Sequence, residues 1–277
     1  MNILDPQGPI GAAEKTILID SLGIMLAIVL PTIVAIFAFA FWFRASNAKA
    51  IHWPNWEYSG RIELVVWSVP ALTVILLGGV AWIGAHQLDP AKAIEGPDKP
   101  LTIQAVSLDW KWLFIYPDRK VATINTLTVP AGVPLQFQLT SASVMNVFFI
   151  PQFGSMIYTM NGMATRINLR ADTPGTFQGL SAHFSGDGFS DMHFDVHVVP
   201  SEQFSKWAQN ASSADKALDE RSYNQIATPS MKSEQAIYRL ADSELFNSIV
   251  TQKLPPSPGM QAGVKGASLP AGVADAR

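Results

Sequence analysis

The 277-residue chain contains no cysteine, and this absence removes several classes of function at once. Without thiols the chain cannot form a disulfide framework, a thiolate zinc site, an iron–sulfur cluster or a cysteine nucleophile. Charge is also scarce, since Asp, Glu, Lys and Arg make up 15% of the residues and the formal net charge is −3. With no strongly basic segment and only five histidines, the composition does not predict nucleic-acid binding.

Acidic residues, lysine and arginine are missing altogether from two long apolar runs, at residues 21–43 and 64–86. Each run is close to the roughly 20 residues needed to cross a bilayer, so we predict two transmembrane helices. The alternative, a buried helix of a soluble protein, is disfavoured by two uncharged runs of this length. The first run follows three acids rather than a basic start and exceeds a signal-peptide core, which favours a retained span.

The residues between the runs predict the orientation of the chain. Residues 44–63 carry Arg44, Lys49 and Arg61, whereas residues 1–20 carry only Lys15 against three acids. Excess Lys and Arg mark the cytoplasmic side of a membrane protein. We therefore expect residues 44–63 to form a cytoplasmic loop, with residues 1–20 and everything after residue 86 on the outer side.

From residue 101 onward, apolar and polar residues alternate. The residues that carry this pattern are Val133, Leu135, Phe137 and Leu139 in one segment and Phe194, Val196 and Val198 in another. A period of two indicates strands with one buried face. After a linker at residues 87–100, we predict an all-β domain over residues 101–200, an antiparallel sandwich or barrel. Residues 201–253 are predicted to be a helical segment, and residues 254–277, rich in Pro, Gly and Ala, a disordered tail.

Six short motifs follow one another along the two runs and the β region. They are LDPQGPI at 4–10, RASN at 44–47, ELVVWSVP at 63–70, SLDWKWLFIYP at 107–117, SVMNVFFIP at 143–151 and PGTFQG at 174–179. Together they make the chain resemble subunit II of the haem–copper terminal oxidases, in the quinol-oxidase branch of cytochrome bo and ba type. The resemblance covers nearly the whole chain. It implies a cupredoxin-like β domain that faces the periplasm, anchored in a bacterial inner membrane.

In the cytochrome c oxidase branch of the resembled family, this domain holds a dinuclear copper centre. The matching positions in this chain are Asn146, Ser181, His183, Ser185, Phe189 and Met192. Such a centre needs bridging thiolates, because soft sulfur holds both copper ions. Serine hydroxyls are weak donors and one thioether cannot hold copper alone. We therefore expect these positions to be vestigial, with no metal and no other cofactor bound by this chain.

The loss of these ligands selects the quinol branch. The resemblance implies that subunit I holds the haems and copper and oxidises quinol directly. From the resemblance we therefore expect a non-redox subunit II of a proton-pumping ubiquinol oxidase that forms water from O2. We expect it to support assembly and proton entry, with none of its own residues catalytic.

Glu63 is the residue for which the resemblance implies a chemical role, at the entrance of a proton pathway into subunit I. An ionisable side chain at the end of a membrane helix can load protons from the adjacent water. The alternative is a structural carboxylate stabilised by the positive end of the helix dipole.

Two other groups of residues leave alternatives open. The aromatic run Trp110–Tyr116 matches a stretch that lies near electron entry in the copper-bearing branch, but without copper we expect a strand of large rings that packs the barrel against subunit I. His193, Asp195 and His197 alternate on one predicted strand, which is compatible with a surface metal site or with a solvated face.

The expected partners are oxidase subunit I, subunits III and IV and membrane lipid. Two rival functions remain. One is a cytochrome c oxidase subunit II that has lost its copper site. The other is a standalone membrane-tethered β domain that acts in binding or assembly. Quinol-branch subunits often carry a lipidated cysteine ahead of the LDP motif, so either a leader is not part of this sequence or the anchor is lacking.

Overall fold

The computed structural model describes residues 3–51, 53–96 and 98–254. The chain divides into two compact units. The membrane unit consists of residues 13–89, and the β unit consists of residues 1–12 together with the chain from residue 90 onward.

The membrane unit is built from two helices, α1 (Pro9–Trp42) and α2 (Gly60–Gln87). Both are long and apolar enough to cross a membrane, and their most apolar segments are not buried within the chain. Hydroxyl groups in the helices are satisfied locally, as when Thr32 donates to the carbonyl of Ile28 at 2.8 Å. The two helices approach closely at Gly84, where an added Cβ would lie 2.8 Å from the side chain of Ile17.

The helix ends differ from the predicted spans. Helix α1 begins at Pro9, so residues 9–20, predicted as a segment ahead of the first span, are helical. A run without charged residues indicates the part of a helix that can lie in lipid, but it does not indicate the residue at which the helix begins. Helix α2 begins at Gly60, and this places Glu63 in its first turn rather than in the preceding loop.

The β unit contains two sheets that face each other. The first has seven strands in the order β11–β12–β3–β2–β1–β5–β8, and the second has five in the order β4–β10–β9–β6–β7. The strands are β1 Leu101–Leu108, β2 Lys111–Tyr116, β3 Val121–Ile124, β4 Thr126–Pro130, β5 Leu135–Ser141, β6 Asn146–Phe149, β7 Ile157–Thr159, β8 Thr165–Leu169, β9 Gly175–Ser181, β10 His193–Val199, β11 Ala217–Leu218 and β12 Ala236–Leu240. The predicted class, two apolar helices before a β sandwich, is confirmed. The alternation that predicted β5 and β10 appears as alternating burial along both strands.

The sheets are mixed rather than wholly antiparallel. Strand β1 runs parallel to β5, β4 runs parallel to β10, and β11 runs parallel to β12. Parallel neighbours require a crossover connection. After β3 in the first sheet, the chain crosses to the second sheet as β4 and then returns to the first sheet as β5. This crossover allows β5 to run parallel to β1.

The main core lies between the two sheets and is rich in aromatic rings. Phe194 of β10 lies 4.9 Å from Phe114 of β2 and stacks on Phe148 of β6 at 5.5 Å between ring centroids. The buried hydroxyl of Tyr116 donates to the carbonyl of Thr128 at 3.0 Å and accepts from its amide at 2.9 Å, which joins β2 to β4. Burial raises the pKa of Tyr116 well above its usual value.

A second core covers the other face of the seven-stranded sheet. It combines Leu113 and Ile115 of β2 with apolar residues of α4 (Glu220–Ile226) and α5 (Leu245–Val250). Residues 201–253 hold three short helices, the first being α3 (Ser201–Ser212), but they also hold β11 and β12, which the helical prediction left out. Strand β12 pairs with β3, so sheet pairing rather than helical periodicity decides its structure. Leu254 is buried in this core, and the rest of the predicted tail lies outside the described residues.

The amino-terminal residues of the chain are part of the β unit. The amide of Gln7 donates to the carbonyl of Gln152 at 2.8 Å, and its carbonyl accepts from the amide of Asp172 at 2.8 Å. Gly8 lies so close to the backbone that an added Cβ would be 1.9 Å from the carbonyl oxygen of Arg170. The LDPQGPI motif therefore contains a glycine that this close approach requires.

We predict that Gly8→Ala lowers the free energy of unfolding of the β unit by about 1–3 kcal/mol, because the methyl group would collide with backbone that cannot rotate away. Thermal unfolding of the purified chain in detergent measures the change. Gly23→Ala is the matched control, since an added Cβ at Gly23 has no neighbour within 4 Å. Equal effects of the two substitutions would contradict the prediction.

Candidate functional site

The loop between β9 and β10, residues 182–192, lies beside the first residues of β6. Ser181 is the last residue of β9 and pairs in register with Phe148 of β6. The amide of Ala182 donates to the carbonyl of Val147 at 3.1 Å. Sheet pairing therefore places Asn146 beside Ser181, although the two are 35 residues apart in sequence.

Four of the six predicted positions converge in the interior at this point. Asn146, Ser181, Ser185 and Met192 are each no more than 4% exposed. The hydroxyl of Ser181 donates to Oδ1 of Asn146 at 2.8 Å, and the hydroxyl of Ser185 lies 3.9 Å from Sδ of Met192. We name these four residues the buried polar group.

The side chains at the other two predicted positions do not join the buried polar group. His183 is half-buried, and its ring lies 6.0 Å from the ring of Tyr158, edge to face. Its carbonyl, the atom at the carbonyl-donor position, is 3.4 Å from the hydroxyl of Ser181. Phe189 is half-buried and its ring contacts that of Phe184 at 5.6 Å.

The donor set of the buried polar group does not fit a dinuclear copper centre. It offers two neutral hydroxyls, one amide and one thioether, whereas bridging copper ions require soft, charged thiolates. The hydroxyls are also engaged with the neighbouring amide and thioether. A shallow cavity of about 280 Å³ adjoins the group and is lined by Ser181, Phe189, Met192 and four neighbours.

The turn between β1 and β2 contacts the same loop. The indole Nε1 of Trp110 donates to the carbonyl of Ser185 at 3.0 Å, and its ring lies against Gly188. Every residue from Lys111 to Tyr116 is buried within the β unit, so the rings of β2 pack inside this chain, and packing of the run against subunit I stays a prediction. The contact of Trp110 with the loop was not predicted, because its only sequence signal is a tryptophan ahead of a strand.

Lys111, the next residue, is a buried cation. Its Nζ donates to the carbonyl of Thr228 at 2.9 Å and to the hydroxyl of Ser230 at 2.5 Å. Burial lowers the pKa of Lys111, and the negative charge of Asp109 opposes part of this shift. The lysine thus ties the segment ahead of β12 to the start of β2.

His193, Asp195 and His197 share the outer side of β10, as predicted. Asp195 accepts a hydrogen bond from Gln235 at 2.6 Å, and His197 Nδ1 lies 3.3 Å from the hydroxyl of Thr176. Within residues 3–51, 53–96 and 98–254, no three His, Asp or Glu side chains are close enough together to hold a metal ion. Asp195 and His197 therefore each have a polar partner within the chain.

Glu63 lies in the membrane unit, on the first turn of α2. Its amide donates to the carbonyl of Ser59 at 3.0 Å, which begins the helix. The side chain lines an open cavity of about 490 Å³ together with Tyr58, Trp67 and Ser68. A carboxylate, a phenol and a hydroxyl therefore line one cavity at the start of α2, where the hydroxyl of Ser68 donates to the carbonyl of Leu64 at 2.5 Å.

Comparison with known proteins identifies close relatives. The chain is 43% identical over 252 residues to the cytochrome bo(3) ubiquinol oxidase subunit 2 of Pseudomonas aeruginosa, a match that covers 91% of this chain and 76% of the relative. It is 43% identical over 256 residues to the ubiquinol oxidase subunit 2 of Acetobacter aceti, covering 91% of this chain and 82% of the relative. No protein-family model matches the chain.

Among solved structures, the β unit is similar to the periplasmic domain of subunit II of cytochrome oxidase of Bradyrhizobium japonicum. The identity is 25% and the TM-score is 0.40, over 41% of this chain and 94% of that domain.

We predict that Ser181→Ala lowers the free energy of unfolding by about 1–2 kcal/mol, because Oδ1 of Asn146 loses its buried donor. Thermal unfolding in detergent measures the loss. Ser190→Ala is the control in the same loop, since Ser190 is exposed. A Ser181→Ala protein as stable as the wild type would contradict the hydrogen-bonded arrangement.

Proposed function

The chain belongs to the ubiquinol oxidase subunit 2 family, and we propose that it serves its oxidase complex without a redox centre of its own. Electrons from quinol enter at subunit I, whose haems and copper reduce O2 to water. This chain supports assembly of the complex and brings protons to subunit I. It acts through protein contacts and through Glu63 rather than through a bound cofactor.

The observation that carries this proposal is the chemistry of the buried polar group. A dinuclear copper centre would need thiolates where Ser181 and Ser185 stand and an imidazole where Asn146 stands. The two serines instead point their hydroxyls at an amide oxygen and a thioether inside the fold. An oxidase whose subunit II cannot accept electrons from cytochrome c must receive them elsewhere, and quinol oxidation at subunit I supplies that route.

Copper content and donor preference test this part of the proposal. We expect the purified complex to contain no copper beyond the share of subunit I, and to take up oxygen with quinol but not with reduced cytochrome c. Elemental analysis, haem spectra and oxygen-electrode traces on one preparation provide the measurements. This chain, purified alone, incubated with copper and desalted, should retain none. Retained copper or cytochrome c oxidation would overturn the proposal.

Membrane anchoring comes from the two helices, and we assign their orientation from charge. The segment between them carries Arg44, Lys49 and Arg61, and excess basic residues stay in the cytoplasm. The guanidinium of Arg44 lies 4.1 Å above the ring of Phe41, so its charge stays close to the end of α1. This orientation puts the β unit in the periplasm and Glu63 at the cytoplasmic end of α2.

The apolar faces of α1 and α2 require partners. Large side chains along both helices are strongly exposed, among them Phe37 at 70%, Leu72 at 65% and Trp67 at 74%. Lipid tails satisfy part of this surface, and helices of subunit I cover the rest. Subunits III and IV complete the complex in this proposal.

In this proposal Glu63 passes protons from the cytoplasm to subunit I. Its carboxylate lies in the first turn of α2, next to the cavity that Tyr58 and Ser68 also line. Because the cavity is open, water that enters it can contact the carboxylate, as a proton relay requires.

We predict that Glu63→Gln lowers quinol-dependent oxygen uptake several-fold with haem content and subunit stoichiometry unchanged, because the amide cannot carry a proton. Glu57→Gln is the matched control, since Glu57 is an exposed acid in the loop that precedes α2. Proton release by the complex in vesicles, measured with a pH-sensitive dye, should fall with turnover for Glu63→Gln only. Wild-type turnover and pumping in Glu63→Gln would remove the proton role.

A further inference from the structure

The turn that joins β1 to β2 holds three separate loops through three consecutive residues. Asp109 accepts a hydrogen bond from the hydroxyl of Ser143, in the connection between β5 and β6. Lys111 donates to the segment ahead of β12 at Thr228 and Ser230. Trp110, between them, reaches the 182–192 loop.

Trp110 has a backbone conformation that disfavours a large side chain. Its φ is +66°, in the left-handed region where a Cβ meets the following carbonyl. Such conformations persist where the surrounding structure over-determines them. Here the neighbours on both sides are buried, since Asp109 and Lys111 are each 4% exposed. The strained turn is what aims the indole at the loop.

The indole makes two kinds of contact with the 182–192 loop. Its Nε1 donates to the carbonyl of Ser185 at 3.0 Å. Its ring lies on Gly188 so closely that an added Cβ there would be 2.4 Å from a ring carbon. The φ of Gly188 is −91°, a value open to any residue, so its lack of a side chain matters for the indole and not for the backbone.

We propose that Trp110 is the positioning residue of the 182–192 loop and holds it closed over the buried polar group. In a copper-bearing site, bonds from the metal would connect the two ends of such a loop. In this chain the donor set does not fit copper, and the indole supplies an attachment from the opposite sheet. Ser185 is then buried beside Met192 because Trp110 holds its carbonyl.

Simple ring packing is the competing explanation, and a conservative substitution separates the two. Trp110→Phe keeps an aromatic ring over Gly188 but removes the N–H donor. If only apolar packing mattered, the phenyl ring would keep the loop closed. If the hydrogen bond positions the loop, its loss exposes Ser185 more often.

The absence of cysteine provides a direct probe of loop opening. Ser185→Cys introduces a single thiol into this chain at a buried position of the loop. The rate at which a maleimide labels this thiol in the purified complex, with a copper chelator present, reports how often the loop opens. Mass spectrometry of the peptide that contains residue 185 separates this thiol from those of other subunits.

We expect Trp110→Phe in the Ser185→Cys background to raise the labelling rate about five-fold, the effect of losing one net hydrogen bond. Gly188→Ala should raise it as well, because the methyl group displaces the indole without altering Trp110. The matched control is Trp207→Phe, the same substitution at a tryptophan that packs on Tyr116 at 5.3 Å. It should leave the labelling rate unchanged.

Equal labelling in the Ser185→Cys background with and without Trp110→Phe would overturn the proposal. A Trp207→Phe effect of the same size would also overturn it, because the response would then reflect general loosening of the core. Haem content and subunit stoichiometry verify that each variant is assembled. The labelling rate does not depend on the electron donor, so failure here is distinguishable from failure of the proposed function.

Discussion

Strand β2 is buried along both faces, and the rest of the β unit is arranged around that constraint. Trp112, Phe114 and Tyr116 face the second sheet, whereas Leu113 and Ile115 face the short helices near the carboxyl end. A strand with two apolar faces needs a cover on each side. The five-stranded sheet supplies one cover, and α4 and α5 supply the other, while β11 and β12 extend the edge of the same sheet beyond β3.

This two-sided burial explains why the turn ahead of β2 can organise distant loops. Since β2 cannot shift without exposing one of its faces, Trp110 and Lys111 extend from a fixed point. Polar contacts made from such a point orient loops more firmly than contacts between two loops. The loop that carries Ser185 and the segment that carries Ser230 are therefore both hydrogen-bonded to residues at the start of β2.

The side chains of the buried polar group bond to one another inside the β unit. Polar atoms buried in a protein need hydrogen-bond partners, because an unsatisfied group costs about 1–3 kcal/mol. Ser181 and Asn146 satisfy each other, and the thioether of Met192 accepts from Ser185. The loop thus keeps a defined interior although its side chains are unsuited to electron transfer through copper.

Some of this could be predicted from the sequence and some could not. Alternation identified β5 and β10, because one face of each strand is buried and a period of two records it. Strand β12 was not predicted, because its residues lie in a segment whose apolar spacing also suits a helix. Only the pairing with β3 decides between a helix and a strand. The start of α1 at Pro9 was not predicted for a different reason. The absence of charged residues indicates which part of a helix lies in lipid, but not where the helix begins. The resemblance located Asn146, Ser181, Ser185 and Met192, but not the contact of Trp110 that holds their loop.

The sequence by itself determined the apolar helices, the β domain, the family and the residue types at the six predicted positions. Each follows from residue type and local order, and these need no knowledge of distant contacts. The tertiary structure alone decided that the hydroxyl of Ser181 meets Asn146, that His183 and Phe189 stay outside the buried polar group, and that Trp110 reaches Ser185. These contacts join residues that are far apart in the chain, and only the pairing of β6, β9 and β10 beside the end of β2 brings them within hydrogen-bond distance.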